Sequence, residues 1–476
     1  MKIIGREKEI KELLSLYDSN KPELVAIYGR RRVGKTYLVN MLFEDKFTFK
    51  HTALSPINSN GSKITTKDQI DYFIRSLKKY GYVGNSVINN WFDAFSALEN
   101  LLEKNNDSRQ LIFFDELPWL DTPKSKFINA FEGFYNGWAS AKNIIVIICG
   151  SATSWIVNNF VDSYGGLYNR LTREISLQPF SLKECELLFN ENGILLSRYD
   201  IALSYMIFGG IPYYLNSFQR GLTLAQNVNS LLFSKKAMFK NEYKRLFSSE
   251  FKSPKITSDV VMFLNTKKIG YTRKEIAKYI GGDGEQLKAV LNALVSGDFV
   301  VKYKMRDDNG ITSYYKLIDP FCLFYLKFKD NNTSLNNDFF SSIINSSQFN
   351  SWKGLAFENL CFNHIDQIKA SINILGTPSN NYPFVYKDKN DSGAQIDLVI
   401  DRKDNVVNLC ECKFYSDEFT SDKDNHLNLI RKSEVLKKYI LKKQIIHPTL
   451  ITTYGLQNNS YFSDYYKVII LDDLFN

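Results

Sequence analysis

Gly29-Arg30-Arg31-Arg32-Val33-Gly34-Lys35-Thr36 satisfies the spacing G-x-x-x-x-G-K-S/T at every required position. Such a stretch does phosphate chemistry. Gly29 and Gly34 let the backbone curl so that its N–H groups face phosphate oxygens at the positive end of a following helix. Lys35 would reach the β- and γ-phosphates, and the Thr36 hydroxyl would take a coordination position on Mg²⁺. Eighty residues after Lys35, the apolar run Leu111-Ile112-Phe113-Phe114 ends in Asp115-Glu116. Asp115 would hold the Mg²⁺, directly or through water, and Glu116 would polarise the attacking water as general base. Together the two stretches call for a bound nucleoside triphosphate with Mg²⁺.

A second polar set stands far along the chain. Glu358 falls on one helical face with Leu355, Phe362 and Ile365. A carboxylate inside an apolar stripe needs a cation or a hydrogen-bond donor. In residues 394–400 the alternation puts Gln395 and Asp397 on one face. After the turn at 402–405, Glu411 and Lys413 share a face of the next strand by the two-residue period.

Elements to position these groups are legible around them. Residues 24–28, bounded by Pro22 and Gly29, read as a buried strand, and residues 36–43 read as a helix. Further strands are expected at 47–54, 111–114, 144–149 and 174–177. The fully apolar run 144–149 suits a central parallel strand covered on both faces. At its polar end, Ser151 or Thr153 either senses the phosphate or caps the next helix. Arg170 or Arg173 could meet a γ-phosphate in cis or in a neighbouring subunit. Ser181-Leu182-Lys183-Glu184 is a capping box that opens an all-helical region. Helices at 256–264, 271–280 and 284–295, then strands at 299–304 and 313–318 joined by a turn at 307–310, read as a winged helix. The polar run 330–337 reads as a linker.

At 476 residues the chain is long enough for several domains, and its 44% hydrophobic and 23% charged content is that of a folded globular protein. The start turns charged at once and no apolar run is long enough to span a bilayer, so a cytoplasmic protein without a membrane segment is expected. Six scattered cysteines without metal-ligand spacing read as buried free thiols. The net charge is +9, and residues 230–306 alone hold sixteen Lys and Arg against seven Asp and Glu, a surplus of nine. Local excess of this kind suggests a polyanion partner, with Lys267, Lys268, Arg273 and Lys274 as phosphate contacts. The expected recognition helix is not especially basic, so base reading is not expected.

Gly5-Arg6-Glu7, the glycine loop, Phe114-Asp115-Glu116, Gly150-Ser151 and Gly209-Gly210-Ile211-Pro212-Tyr213-Tyr214 together resemble the archaeal-type ATPase family, related to the AAA+ class, over about residues 3 to 235. The resemblance implies a five-stranded parallel core with a helical lid, and it brings Arg6 and Pro212 to the adenine end of the nucleotide. The acid, Asp and Glu-x-Lys series over about residues 351 to 455 resembles the PD-(D/E)XK nuclease superfamily, although Gln395-Ile396 stands where its Pro would precede Asp397. That likeness implies that Asp397 and Glu411 coordinate Mg²⁺, that Glu358 extends the acidic cluster, and that Lys413 activates the water. The expected architecture is α/β: a P-loop parallel-sheet ATPase core (1–180), a helical lid (181–245), a winged helix (246–330) and a restriction-nuclease-like α/β domain (331–476). The expected function is ATP hydrolysis coupled to nucleic-acid binding, DNA rather than RNA, and Mg²⁺-dependent cleavage. A homo-oligomer or a protein partner through the winged helix is a further expectation, and the alternative function is an ATP-dependent signalling switch or scaffold with a non-catalytic, protein-binding C-terminal domain.

Overall fold

The computed structural model describes residues 2–58, 60–84, 87–105, 109–162, 165–251, 253–307, 310–329, 338–386 and 393–476. The expected linker at 330–337 lies outside them, as do residues 308 and 309 of the expected turn. The chain divides into two compact units, Met1–Gln178 and Pro179–Asn476.

The first unit is built on five parallel strands, β1 (Glu23–Tyr28), β2 (Phe49–Thr52), β3 (Gln110–Asp115), β4 (Ile144–Gly150) and β5 (Arg173–Ser176), in the order β2-β3-β4-β1-β5. Every residue of β3 and β4 is buried, which is why both read as unbroken apolar runs: helices cover the two faces of a parallel sheet. The helices Thr66–Lys79, Trp91–Leu102 and Phe127–Gly137 pack an aromatic core against one face. Phe73, Trp91, Phe95, Phe114, Phe127 and Phe131 meet there mostly in edge-to-face and tilted pairs, as between Trp91 and Phe127 at 5.0 Å. Truncating one such ring to Ala costs about 3–5 kcal/mol, so this layer holds the strand ends, and the acids on them, in place.

In the second unit Ser181 caps the helix Leu182–Glu191 with the expected reciprocal bond to Glu184. The helix Arg198–Phe208 ends at Gly209, and Pro212 opens the short helix Pro212–Leu215. The helices Pro254–Leu264, Arg273–Ile280 and Glu285–Ser296 follow, with strands β6 (Tyr271–Thr272), β7 (Val300–Asp307) and β8 (Gly310–Leu317) in the antiparallel order β6-β8-β7. Then come the helices Ser347–Asn363 and Ile365–Ser371 and a mixed sheet of β9 (Ser379–Tyr386), β10 (Ala394–Arg402), β11 (Val406–Lys413), β12 (Ile445–Thr452) and β13 (Lys467–Ile470). Strands β9, β10 and β11 pair antiparallel; β12, reached through the helix Lys423–Lys437, pairs parallel to β11, and β13 parallel to β12. Ile269, Tyr303, Met305 and Tyr314 share one core with Tyr382, Phe384, Ile396 and Val399, so the β6–β8 sheet and the β9–β13 sheet are joined by apolar packing. No helix among the described residues is long and apolar enough to cross a membrane, and all six cysteines are free and buried.

Candidate functional site

The glycine loop leaves the C-terminal end of β1 and enters the helix Lys35–Leu42, whose N-cap Gly34 has φ +96°. Gly29 has φ +141°, and a Cβ there would lie 2.3 Å from the Leu177 carbonyl oxygen, so no side chain fits. Val33 and Arg30 are buried, Arg31 half-buried, and Arg32 is a non-glycine residue held at φ +71°. Lys35 is buried, and its ammonium donates to the Gly29 and Arg30 carbonyls at 2.8 and 2.9 Å, across the curl of the loop. The Thr36 hydroxyl donates to Asp115 Oδ1 at 2.8 Å, although 79 residues separate them. That pairing tests the expected Mg²⁺ site: a hydroxyl and a carboxylate from two elements meet beside the loop, a donor set that fits the ion.

Burial raises the Asp115 pKa, against the Thr36 hydrogen bond and the charges of Lys35 and Lys50. Burial also raises that of Glu116, which stands at φ +51° at the strand end. Its Oε2 accepts from the Ser151 N–H and hydroxyl, both at 3.0 Å. The Ser151 hydroxyl thus holds the expected base, and the helix after β4 is capped by Ala152 without a side-chain bond, so neither serine nor threonine caps it. Arg6 is buried and donates to the Gln178 carbonyl at 2.6 Å, fastening the N-terminal segment to the chain after β5. Arg173 is engaged by Glu12 at 2.8 Å.

The second polar set gathers in a cleft of about 640 Å³ whose lining includes Glu358, Gln395, Asp397, Glu411, Lys413, Arg431 and Lys432. Glu358 comes from the helix Ser347–Asn363, but its expected stripe needs correction: Leu355 is 48% exposed, and Ile365 belongs to the next helix. The buried residues of the helix include Trp352, Ala356, Phe357 and Leu360, together with Phe362 of the expected stripe. Asp397 sits where the β9–β10 register shifts between Ile396 and Val399, a bulge that re-aims a strand residue. Its Oδ2 accepts the Cys412 N–H at 3.0 Å, which ties it to the strand bearing Glu411 and Lys413. Lys413 lies 3.8 Å from Glu411.

Two residues that sequence reasoning did not place in this site complete it. Lys432, from the helix Lys423–Lys437, donates to Glu411 Oε1 at 2.6 Å. Lys268, expected as a phosphate contact, instead points inward: its ammonium is 2.5 Å from Glu358 and 3.2 Å from Asp397. Of the other expected phosphate contacts, Lys267 pairs with Glu275 and Arg273 with Asp283, while Lys274 is exposed. Burial, then the charge of Asp397, pushes the Glu358 carboxyl up to about 7, against Lys268 and Lys316. Burial pushes Lys268 down, and Asp397 and Glu358 together push it up by more, so it stands above the ordinary lysine range. Among the described residues no three or more His, Cys, Asp or Glu side chains form a group that could hold a metal. Of the expected ligands, Glu358 and Asp397 face the Lys268 ammonium and Glu411 that of Lys432. Glu358 and Asp397 nevertheless converge on one cation, the Lys268 ammonium, so the pair fits a metal ion where that ammonium now stands.

Residues 3–218 match the family described as an ATPase domain predominantly from Archaea. An uncharacterised protein of Methanocaldococcus jannaschii, MJECL04, is 23% identical over 446 residues, covering 91% of this chain and 92% of its own length. An uncharacterised ATP-binding protein of the same organism, MJ0423, is 42% identical over 43 residues, 9% of this chain and 73% of the relative. Among solved structures, the Walker-type ATPase PABY2304 of Pyrococcus abyssi is 20% identical, with a TM-score of 0.46 over 68% of this chain and 96% of that one.

Proposed function

We propose that this chain hydrolyses ATP in its first unit and cleaves nucleic acid, DNA rather than RNA, at the acidic cleft of its second, nucleotide state governing the cleavage. In the first site Lys35 holds the β- and γ-phosphates, Thr36 and Asp115 hold Mg²⁺, and Glu116 orients and deprotonates the water. Arg6 is the first unit's candidate for the adenine end.

The observation that carries the nuclease reading is the convergence of Glu358 and Asp397 on a single cation, beside Glu411 and Lys413 on the adjoining strand. The helix, three antiparallel strands, helix and parallel strand that hold them support it. Glu358 and Asp397 would hold a divalent ion, with Glu411 beside it. Such an ion lowers the pKa of bound water and offsets charge on the phosphoryl oxygens. Lys413 would orient the water, and Lys432 keeps Glu411 in its rotamer.

Incubating the full chain with linear, circular and single-stranded DNA, with and without Mg²⁺ and ATP, tests this reading. Cleavage that needs Mg²⁺ and is lost in Asp397→Ala and Lys413→Ala, with ATPase activity intact, is the expected result. The switch or scaffold reading rests on a specific observation too: Lys268 and Lys432 already neutralise the carboxylates. Absence of both metal binding at Asp397 and cleavage under every nucleotide condition would establish it instead.

A further inference from the structure

We propose that Lys268 is a resident cation of the acidic cleft that competes with divalent metal and so sets the metal affinity of the site. This rests on reading that cleft as a metal centre. Lys268 lies in the loop between the helix Pro254–Leu264 and β6, whereas Glu358 and Asp397 belong to a helix and a strand 90 and 129 residues further on. Both oxygens of Glu358 are 2.5 Å from the ammonium nitrogen, and Asp397 Oδ1 is 3.2 Å away. Charge-assisted bonds of this kind are strong. A metal ion held by the same pair would occupy the same place, so ammonium and metal exclude each other.

Lys268 is the displaceable amine of this cluster. Lys432 is bonded to Glu411 at 2.6 Å from a helix of the same α/β module, and Lys316 is buried against Asn359 Oδ1 at 2.5 Å. The Lys268 side chain keeps a quarter of its surface exposed. It can swing to water on its own stem, but leaving two buried carboxylates without a counter-charge is strongly unfavourable. It therefore leaves only when another cation replaces it.

The backbone beneath Lys268 is built to keep it there. Ile269 is buried in the core shared by the two sheets, and its carbonyl accepts the Tyr303 hydroxyl at 2.5 Å. Gly270 has φ +76°, and a Cβ there would lie 1.9 Å from the Tyr315 carbonyl oxygen. With the loop path set on both sides, exchange is a motion of the lysine side chain and not of the loop.

Calorimetric titration of nucleotide-free full chain with Mn²⁺ tests the proposal in wild type, K268M, K268R and K268M/D397A. K268M should bind at least about tenfold more tightly than wild type, K268R should bind no more tightly than wild type, and D397A should abolish the gain. K268M should also melt lower than wild type and recover with Mn²⁺. Should K268M not fold, E358Q against E358Q/K268M reads the same difference with one buried carboxylate fewer. Equal Mn²⁺ affinity in wild type and K268M, both lost with D397A, overturns the role of Lys268 and leaves the metal centre standing. No Asp397-dependent binding in any variant overturns the metal centre and the competition together.

Discussion

In the proposed function Lys35 and Glu116 do separable work. The Lys35 ammonium crosses the loop to the Gly29 and Arg30 carbonyls, and on that reading it would exchange those partners for phosphate oxygens when nucleotide binds. Lys35→Ala should abolish ATP binding, read by fluorescent-nucleotide titration. Glu116 touches Ser151 and no loop backbone group, so Glu116→Gln should bind ATP normally and lose hydrolysis by about 100-fold or more. Hydrolysis at the wild-type rate in Glu116→Gln would remove Glu116 as the base. The spacing alone points to both residues; the grip of Ser151 on Glu116 does not show in the sequence, because a turn after another strand supplies it.

At the scale of elements, two close contacts inside the second unit can each be broken singly. His364, at the end of the helix Ser347–Asn363, accepts the Leu182 N–H on Nε2 at 3.2 Å and donates from Nδ1 to the Leu360 carbonyl at 2.9 Å. The bond accepted on Nε2 requires the neutral ring, and burial, against the Leu360 hydrogen bond, holds its pKa down at about 4. The folded state then binds fewer protons than the unfolded state, whose histidine titrates near 6.5. Stability is therefore full above about pH 6.5 and is lost as pH falls towards 4, by roughly 3 kcal/mol at most. Urea unfolding followed across this range should show that slope, and His364→Gln should flatten it; an unchanged slope would assign it to other groups. Gly270→Ala forces a Cβ into the Tyr315 carbonyl at positive φ, so it should destabilise the second unit by more than about 1 kcal/mol, read by urea unfolding, while ATP binding persists.

Over the whole molecule the charge is +9, and its surplus sits in residues 230–306. Affinity for duplex DNA should fall steeply with salt through counterion release, measured by fluorescence anisotropy between about 50 and 200 mM. Ion pairs redistribute the expected contacts. Lys267 and Arg273 already face Glu275 and Asp283, so their replacement by Ala should change the salt slope less than Lys274→Ala, and none should alter sequence preference. A flat salt dependence would remove nucleic acid as the partner of this segment.

What the sequence determined by itself is the chemistry that repeats locally. A glycine loop, a capping box, an apolar run ending in two acids, and a Glu-x-Lys strand are each written in a few consecutive residues, because backbone period and turn chemistry act over that range. The five parallel strands and the positions of Thr36, Asp115, Glu116, Asp397 and Glu411 on their elements follow from such signals. The helices Thr66–Lys79, Trp91–Leu102 and Phe127–Gly137 carry no such local signal, since their aromatic faces have meaning only against one another and the sheet. Only the tertiary structure decided where the lysines go. Lys268 looked like one more exposed charge in a basic run, and Lys432 like one more on a polar helix. Each meets its carboxylate across more than twenty residues of chain, through packing that brings separate elements into one cleft. The desolvation of those acids, which makes an ammonium there favourable, exists only once the core has closed around them.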